Sequence, residues 1–406
     1  MKPHAILYFG NAWDAENRTS SHHIARRLAE QFDVYYIECP GLRAPKGTGR
    51  DFKKIWQKLW KALAGAREIL PGLRVQTLLQ IPLHRFAVVR WLNARLIYWS
   101  VRRLMWRNRV HRPISWFIAP HMASLIGRLG ESASVYYCVD DFASMPGMNR
   151  DVIRLMDEKL TREANLVFVA SDTLLPAKLA INPNTYYSPH GVDVELFGRA
   201  LDPDGKVPGD IRELRQPIIG FFGLIERWID LDLVRYLAGQ RPDWSFLMIG
   251  RIAVPEEAMP KLPNVHFLGT RPYDSLPEYG RHFAAAIIPY KLCYQVLHAN
   301  PLKLREYLAM GKPVVSVRTP QTAKFADVVE IADDQEAFLA KLDKVIQHPD
   351  GQEGATRRMN RVTSLSWDTR VAEVLRVVRA SLKVEPGGQG PTSAEARTAS
   401  AQGACS

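Results

Sequence analysis

A two-domain α/β protein, with a doubly wound parallel sheet in each half, is the class this sequence predicts. Three observations predict it. Short apolar runs alternate with helix-patterned stretches at the spacing of parallel β–α–β units, first from HAILYFG to SPHGVD and again from IIGFFG to VVEIA. Between the two series, residues 198–216 (GRALDPDGKVPGDIRELRQ) are rich in glycine, proline and charge, as a linker is. The 406 residues also suffice for two domains, each burying its own core.

In the first series, HAILYFG (residues 4–10) reads as a buried strand and Gly10-Asn11 as its ligand-facing turn. Ser20 or Ser21 would cap the helix HHIARRLAEQF, and DVYYIE returns as a strand. No GxGxxG is present, so the dinucleotide fingerprint is missing. His22 and His23 open the helix and either point into a crevice or serve as exposed or capping residues; Asn11 and His22 are the candidates on this side of a site. FKKIWQKLWKAL is an amphipathic helix candidate, RVQTLLQIP a strand and RFAVVRWLNARLIYWSVRRLMWRN a longer helix. ISWFIAP, SVYYCVD, LVFVAS and TYYSPHGVD continue as strands, with DVIRLMDEKLTREA as a helix among them.

Asp140 and Asp141 close the strand SVYYCV. Carboxylates at the carboxyl end of a parallel strand face the crevice and are costly to place there without a task or a partner. Either at least one of them serves the chemistry, or one caps the following loop as an Asx-turn.

The second series contains the most informative stretch, Ala285 to Val317. AAAIIPY is a strand, Asn300-Pro301 has helix-start chemistry, Gly311 supplies the stop, and Pro313-Val-Val-Ser-Val returns as a strand. Lys303 and Arg305 then lie at the positive end of the helix dipole, where cations are disfavoured unless an anion compensates. A phosphate would satisfy both the free amide groups and the lysine. Glu306, three residues on, projects from nearly the same face, placed either to accept hydrogen bonds from ribose hydroxyls or to form an ordinary solvated pair with Lys303. Gly223 ends its strand as a phosphate-approaching glycine would, and Arg227 in the same loop is a candidate cation.

On these residues the chain resembles a known family. PLKLREYLAMGKPVVS is similar to the nucleotide-sugar signature of GT-B glycosyltransferases of the group 1 (family 4-like) type, nearest the bacterial cell-surface polysaccharide branch that includes teichuronic-acid-type enzymes. SPHGVDVELF resembles the segment that ends the family's first domain, and SWDTRVAEVLRVVRASL the last helix, which crosses back to it. The resemblance implies a GT-B fold, two Rossmann-like domains facing a cleft, with Glu306 on the donor ribose and Lys303 on the diphosphate. It places Asp140 where the family often carries a histidine at the reaction centre. The family's paired glutamates are separated by seven residues, and the first position, which helps to contact the donor sugar, holds His298 here; it joins Asp140 and Asp141 as a candidate catalytic residue. The usual Arg and Lys after the phosphate-loop glycine are replaced by Leu224 and Ile229.

The expected domains are 1–197 on the acceptor side, the linker 198–216, 217–365 for the nucleotide sugar, and 366–383 as the crossover helix. Residues 384–406 have no apolar periodicity and read as a disordered tail. Residues 43–112 carry 17 Lys/Arg against Asp51 and Glu68, a balance of +15 against +12 for the whole chain. With tryptophans interleaved, that composition suits an anionic membrane surface; packing of the aromatics in a core is the alternative, and no nucleic-acid-binding motif accompanies the charge. No cleavable signal peptide and no run of about 20 uncharged apolar residues is seen. The four scattered cysteines argue against metal binding and a disulfide framework and fit a reducing cytoplasm.

The expectation is therefore a glycosyltransferase moving a sugar from a nucleotide diphosphate donor, of unspecified nucleobase, to a hydroxyl on a lipid-linked or cell-surface glycan. It would act at the inner membrane face, with retention implied by the resemblance, and without a cofactor or metal. An epimerase acting on the nucleotide sugar alone, or a non-catalytic nucleotide-binding protein of the same architecture, would share this sequence pattern.

Overall fold

The computed structural model describes residues 5–14, 18–39, 65–78, 87–145, 148–202 and 204–383. The amphipathic candidate at 52–63 and the tail from 384 lie outside them. Two compact units divide the chain, one formed by residues 1–15, 19–189 and 371–406, the other by 16–18 and 190–370.

The first unit is built on an eight-stranded sheet: β1 (Ala5–Gly10), β2 (Asp33–Glu38), β3 (Arg67–Leu70), β4 (Leu73–Thr77), β5 (Ile114–Phe117), β6 (Ala133–Cys138), β7 (Leu166–Val169) and β8 (Thr185–Tyr187). Their spatial order is β3-β4-β2-β1-β5-β6-β7-β8. Its helices are α1 (Ser20–Gln31), α2 (Ala87–Arg107), α3 (Arg150–Glu163) and α4 (Leu175–Leu179). Every pairing is parallel except β3 with β4, a hairpin absent from the sequence reading. The signal for it was Pro71-Gly72: Gly72 sits at φ 80°, as the third position of a type II turn requires.

One face of this sheet is a row of stacked rings. Tyr36, Tyr8, Trp116, Tyr137 and Phe168, from β2, β1, β5, β6 and β7, have successive ring centroids 5.1, 6.0, 6.3 and 5.8 Å apart. All are buried, so the tape fixes the strand register and holds the carboxyl ends of the strands level.

The second unit has a six-stranded parallel sheet in the order β11-β10-β9-β12-β13-β14. The strands are β9 (Ile218–Phe222), β10 (Ser245–Ile249), β11 (Val265–Gly269), β12 (Phe283–Ile288), β13 (Val314–Val317) and β14 (Glu330–Ala332). Its helices are α5 (Val194–Gly198), α6 (Leu231–Gln240), α7 (Leu276–Arg281), α8 (Tyr294–His298), α9 (Leu302–Ala309), α10 (Gln335–Gln347) and α11 (Gly351–Thr363). A last helix, α12 (Trp367–Lys383), starts in this unit and ends in the first. The stretch 198–216, read as a linker, holds short 3-10 turns at Arg199–Leu201 and Gly209–Ile211, the latter contributing the buried Ile211 to this core.

Strand β9 is buried along its whole length at the middle of the sheet, which puts its carboxyl end at the crossover in strand order. Helix α9 is fastened to that end: the Tyr307 hydroxyl accepts a hydrogen bond from the Phe222 backbone N–H at 2.8 Å, and the two rings meet edge to face. Tyr307→Phe leaves that buried N–H without its acceptor. Urea unfolding should show a loss of about 1–3 kcal/mol; an unchanged midpoint would mean that another group takes over the bond.

Candidate nucleotide-sugar site

Lys303, Glu306 and Gly223 are brought together in the second unit. The first helical residue of α9 is Leu302 and its N-cap is Pro301, which offers no capping side chain. Asn300 does not cap it as the sequence suggested. Its Oδ1 accepts from Arg305 Nη1 at 2.7 Å, and the Arg305 head turns inward over the Phe325 ring at 5.4 Å. Arg305 is thus a structural cation, and the amide groups of the first turn are left without a side-chain cap.

Lys303 lies at the mouth of these amides. Its ammonium sits 4.4 Å from the Phe221 ring centroid and 5.1 Å from that of Tyr290. Among the described residues no carboxylate comes within ion-pair distance of it. Its position is set against Gly223: a Cβ on that glycine would stand 2.8 Å from Nζ, and the φ of 138° already excludes a side chain without strain. Gly250, at the end of β10, has φ 141°, and a Cβ there would lie 1.9 Å from the Gly223 carbonyl oxygen. Two strand ends therefore present bare backbone in front of one lysine.

Glu306 is buried one turn along. Its Oε1 accepts from the Tyr273 hydroxyl at 2.8 Å, while no described residue bonds its second oxygen. Tyr273 follows β11 and is braced edge to face on Phe197 at 5.5 Å. The sequence reading missed Tyr273; its place between a strand and a helix-start proline motif was the available signal. Burial pushes the Glu306 carboxyl up to about 7, against the Tyr273 hydrogen bond and the Lys303 charge. Burial likewise brings the Lys303 ammonium down to about 8, with Glu306 opposing it. Both groups are held in the less comfortable ionisation state, which an anion on the lysine and hydroxyl donors on the carboxylate would relieve.

The remaining candidates of this unit are less engaged. Arg227 is exposed, in a loop where Ile225 and Ile229 point into the core. Lys291, which the sequence reading did not single out, comes from the neighbouring loop but is paired with Asp232 at 3.2 Å. His298 ends the five-residue helix α8, its ring stacked on Tyr294 at 4.1 Å and its Nδ1 2.8 Å from the Tyr294 carbonyl oxygen. Nδ1 therefore carries a proton, and a neutral ring keeps Nε2 as an acceptor.

In the first unit the strand-end residues are largely committed. The cap of α1 is Thr19 rather than Ser20 or Ser21. His22 Nδ1 accepts from the Thr19 backbone N–H at 3.0 Å, and Nε2 lies 3.1 Å from the Ala12 carbonyl oxygen. Its two nitrogens thus tie down the β1–α1 turn, so of the two readings of this histidine the capping one holds. Asn11 is half-buried, with its carbonyl oxygen accepting from Tyr36 at 2.7 Å and its amide 3.4 Å from Thr19 Oγ1. Asp141 caps the turn Phe142–Ser144, accepting from the Ala143 N–H at 3.1 Å and from the Ser144 hydroxyl, so the Asx reading holds for it. Asp140 accepts from the Asp141 N–H at 2.9 Å and is half-buried at the end of β6.

Two parallel-sheet domains, the second with an uncapped helix start beside glycine-terminated strands, have the architecture of the GT-B fold. Residues 216–348 match the family described as "Glycosyl transferases group 1". TuaH of Bacillus subtilis, named as a teichuronic acid biosynthesis glycosyltransferase, is 25% identical over 404 residues, covering 92% of this chain and 96% of that protein. Similar solved structures include a sucrose-phosphate synthase from Thermosynechococcus elongatus (TM-score 0.67, 14% identity, 93% of this chain and 98% of that one). Another is Anabaena HepE in complex with UDP and glucose (TM-score 0.61, 16% identity, 91% and 99%). The chain is a glycosyltransferase.

Two outcomes follow from this geometry. The folded-state pKa of Glu306 is raised, so stability is lost as pH climbs from the unfolded carboxylate range to about 7. Glu306→Gln should therefore unfold at higher urea than the parent near pH 8, by on the order of 1–3 kcal/mol, with the gap closing towards pH 4. A parent protein that is the more stable at both pH values would contradict the raised pKa. Gly223→Ala should displace the Lys303 ammonium and weaken nucleoside diphosphate binding at least about tenfold in calorimetry, as loss of one charge-assisted bond does; unaltered affinity would show that the lysine does not bind there.

Proposed function

We propose that this protein transfers a sugar from a nucleotide diphosphate donor to a hydroxyl of a growing cell-surface glycan of the teichuronic acid type, the acceptor being lipid-linked and met at a membrane face. The observation that carries the donor half is the unpaired Lys303 ammonium opposite Gly223, beside a Glu306 held by Tyr273. The names of TuaH and of the UDP-bound HepE support the acceptor class and a uridine nucleotide.

In this reading the diphosphate lies on the amides of α9 with Lys303 on its distal oxygens, and the free oxygen of Glu306 takes the ribose hydroxyls. When the bond from the anomeric carbon to the β-phosphate oxygen breaks, its electron pair stays on phosphate, and the ammonium and amide dipoles stabilise that growing charge. The acceptor hydroxyl bonds to the anomeric carbon, and its proton passes to a phosphate oxygen on the same face, with retention of configuration. Asp140, the strand-end carboxylate that does not serve as the turn cap, would orient that hydroxyl. The positive charge comes from the chain itself, so the reading assigns no step to a metal. Among the described residues no helix is long and apolar enough to cross a membrane, which suits a peripheral association.

Calorimetry with UDP, GDP, dTDP and ADP tests the donor half. One nucleotide, UDP, should bind, and Lys303→Met should weaken it roughly 10- to 100-fold, the range of a charge-assisted bond. Equal binding by parent and variant would overturn the reading. Sugar turnover without any acceptor would identify an epimerase, and binding without transfer a non-catalytic protein.

A further inference from the structure

Helix α2 is apolar on two sides. Its inner side, Ile97, Val101, Leu104 and Met105, joins the first unit's core. Its outer side carries large side chains of the kind that normally bury: Trp91, Trp99 and Trp106 are 54%, 67% and 80% exposed, with Val88, Leu92 and Leu96 beside them. At 3.6 residues per turn, Val88, Leu92, Trp99 and Trp106 fall within about 40° of one another, opposite Ile97 and Val101. They form one continuous outward stripe.

The same side is strongly cationic. Arg95, Arg102, Arg103 and Arg107 are exposed along it, and Arg95 lies over the Trp91 ring at 4.0 Å. Between Glu68 and Glu131, residues 69–130, the sequence has no acidic residue. Beyond the helix end, Arg109 and Arg112 adopt φ of 53° and 46°, a backbone state uncommon for any residue but glycine and concentrated at functional sites. There Arg102, Trp106, Arg107, Arg109 and His111 line an open hollow of about 670 Å³.

Charge decides what can cover such a stripe. A second copy of this chain, paired face to face, would set arginine against arginine. Residues 52–63 hold four lysines and no acid and would be repelled in the same way. Single-stranded nucleic acid could stack on the tryptophans, but it would leave Val88, Leu92 and Leu96 wet. An anionic bilayer suits every part: acyl chains for the aliphatic residues, the interfacial zone for the indoles, and lipid phosphates for the guanidinium groups and the hollow.

We propose that α2 is an interfacial helix that lies in the surface of an anionic phospholipid bilayer, with Trp91, Trp99 and Trp106 inserted and Arg95, Arg102, Arg103 and Arg107 on the lipid phosphates. This rests on the lipid-linked acceptor of the proposed function and supplies its missing element, the part of the acceptor domain that meets the membrane.

The test is co-sedimentation of the full chain with vesicles of phosphatidylcholine plus phosphatidylglycerol, and with phosphatidylcholine alone, alongside UDP calorimetry. The parent should bind the anionic vesicles, and much less the neutral ones. Replacing the four arginines with glutamine should weaken binding at least about a hundredfold, at roughly fivefold per charge near the surface. Replacing the three tryptophans with glutamine should abolish the blue shift of indole fluorescence on vesicle addition. Both variants should keep the parent's UDP affinity and thermal midpoint, since the changed side chains are exposed. Vesicle binding unaffected by both sets would overturn the proposal. So would self-association lost in the tryptophan variant, or salt-steep binding to single-stranded DNA that exceeds vesicle binding. Loss of UDP binding by the parent would strike the donor reading instead and leave the vesicle result standing.

Discussion

A lysine denied an anionic partner of its own is the constraint around which the second domain is arranged. Lys303 is placed over aromatic faces, short of every described carboxylate, and in front of a strand end that only glycine can form. Holding an ammonium this way costs stability, which its downward-shifted pKa of about 8 expresses. In the proposed function, the compensation comes from a ligand that brings negative charge to a helix start. The uncapped first turn of α9, the inward-turned Arg305 and the paired glycines leave bare backbone beside that ammonium, an arrangement that suits anionic oxygen.

Glu306 repeats this logic with the opposite sign. Buried and held by one tyrosine hydroxyl, it sits at about 7, between its two protonation states under ordinary conditions. The two groups stabilise each other only across a distance, so each is available to the ligand. Holding both charges in this way costs stability, and making either group neutral would relax the domain.

Much of this was legible in the sequence because the signals were local. Strand–helix alternation gave both parallel sheets, and Asn300 to Gly311 gave a helix start with Lys303 and Glu306 on one face. What failed was whatever depended on side chains meeting from distant segments. Asn300 resembled a cap until Arg305 claimed its oxygen. His22 could be read as a cleft residue or as a cap, and only its partners in the β1–α1 turn decide for the cap. Tyr273 holds Glu306 from 33 positions away, a separation no periodicity encodes. The β3–β4 hairpin was overlooked because an antiparallel edge departs from the alternation, although its Pro-Gly turn was in plain view. The outward stripe on α2 was hidden for another reason: a helix apolar on two sides shows little amphipathic contrast.

The most direct measurement is the number of protons taken up when UDP binds, obtained by calorimetry in buffers of different ionisation enthalpy. The pH should lie about half a unit above the Lys303 pKa of about 8, where Glu306 is already ionised. A diphosphate seated on the lysine restores its charge, so the account predicts uptake of up to about three quarters of a proton, abolished by Lys303→Met. No uptake, or the same uptake in that variant, would contradict the claim that this ammonium is the diphosphate's partner.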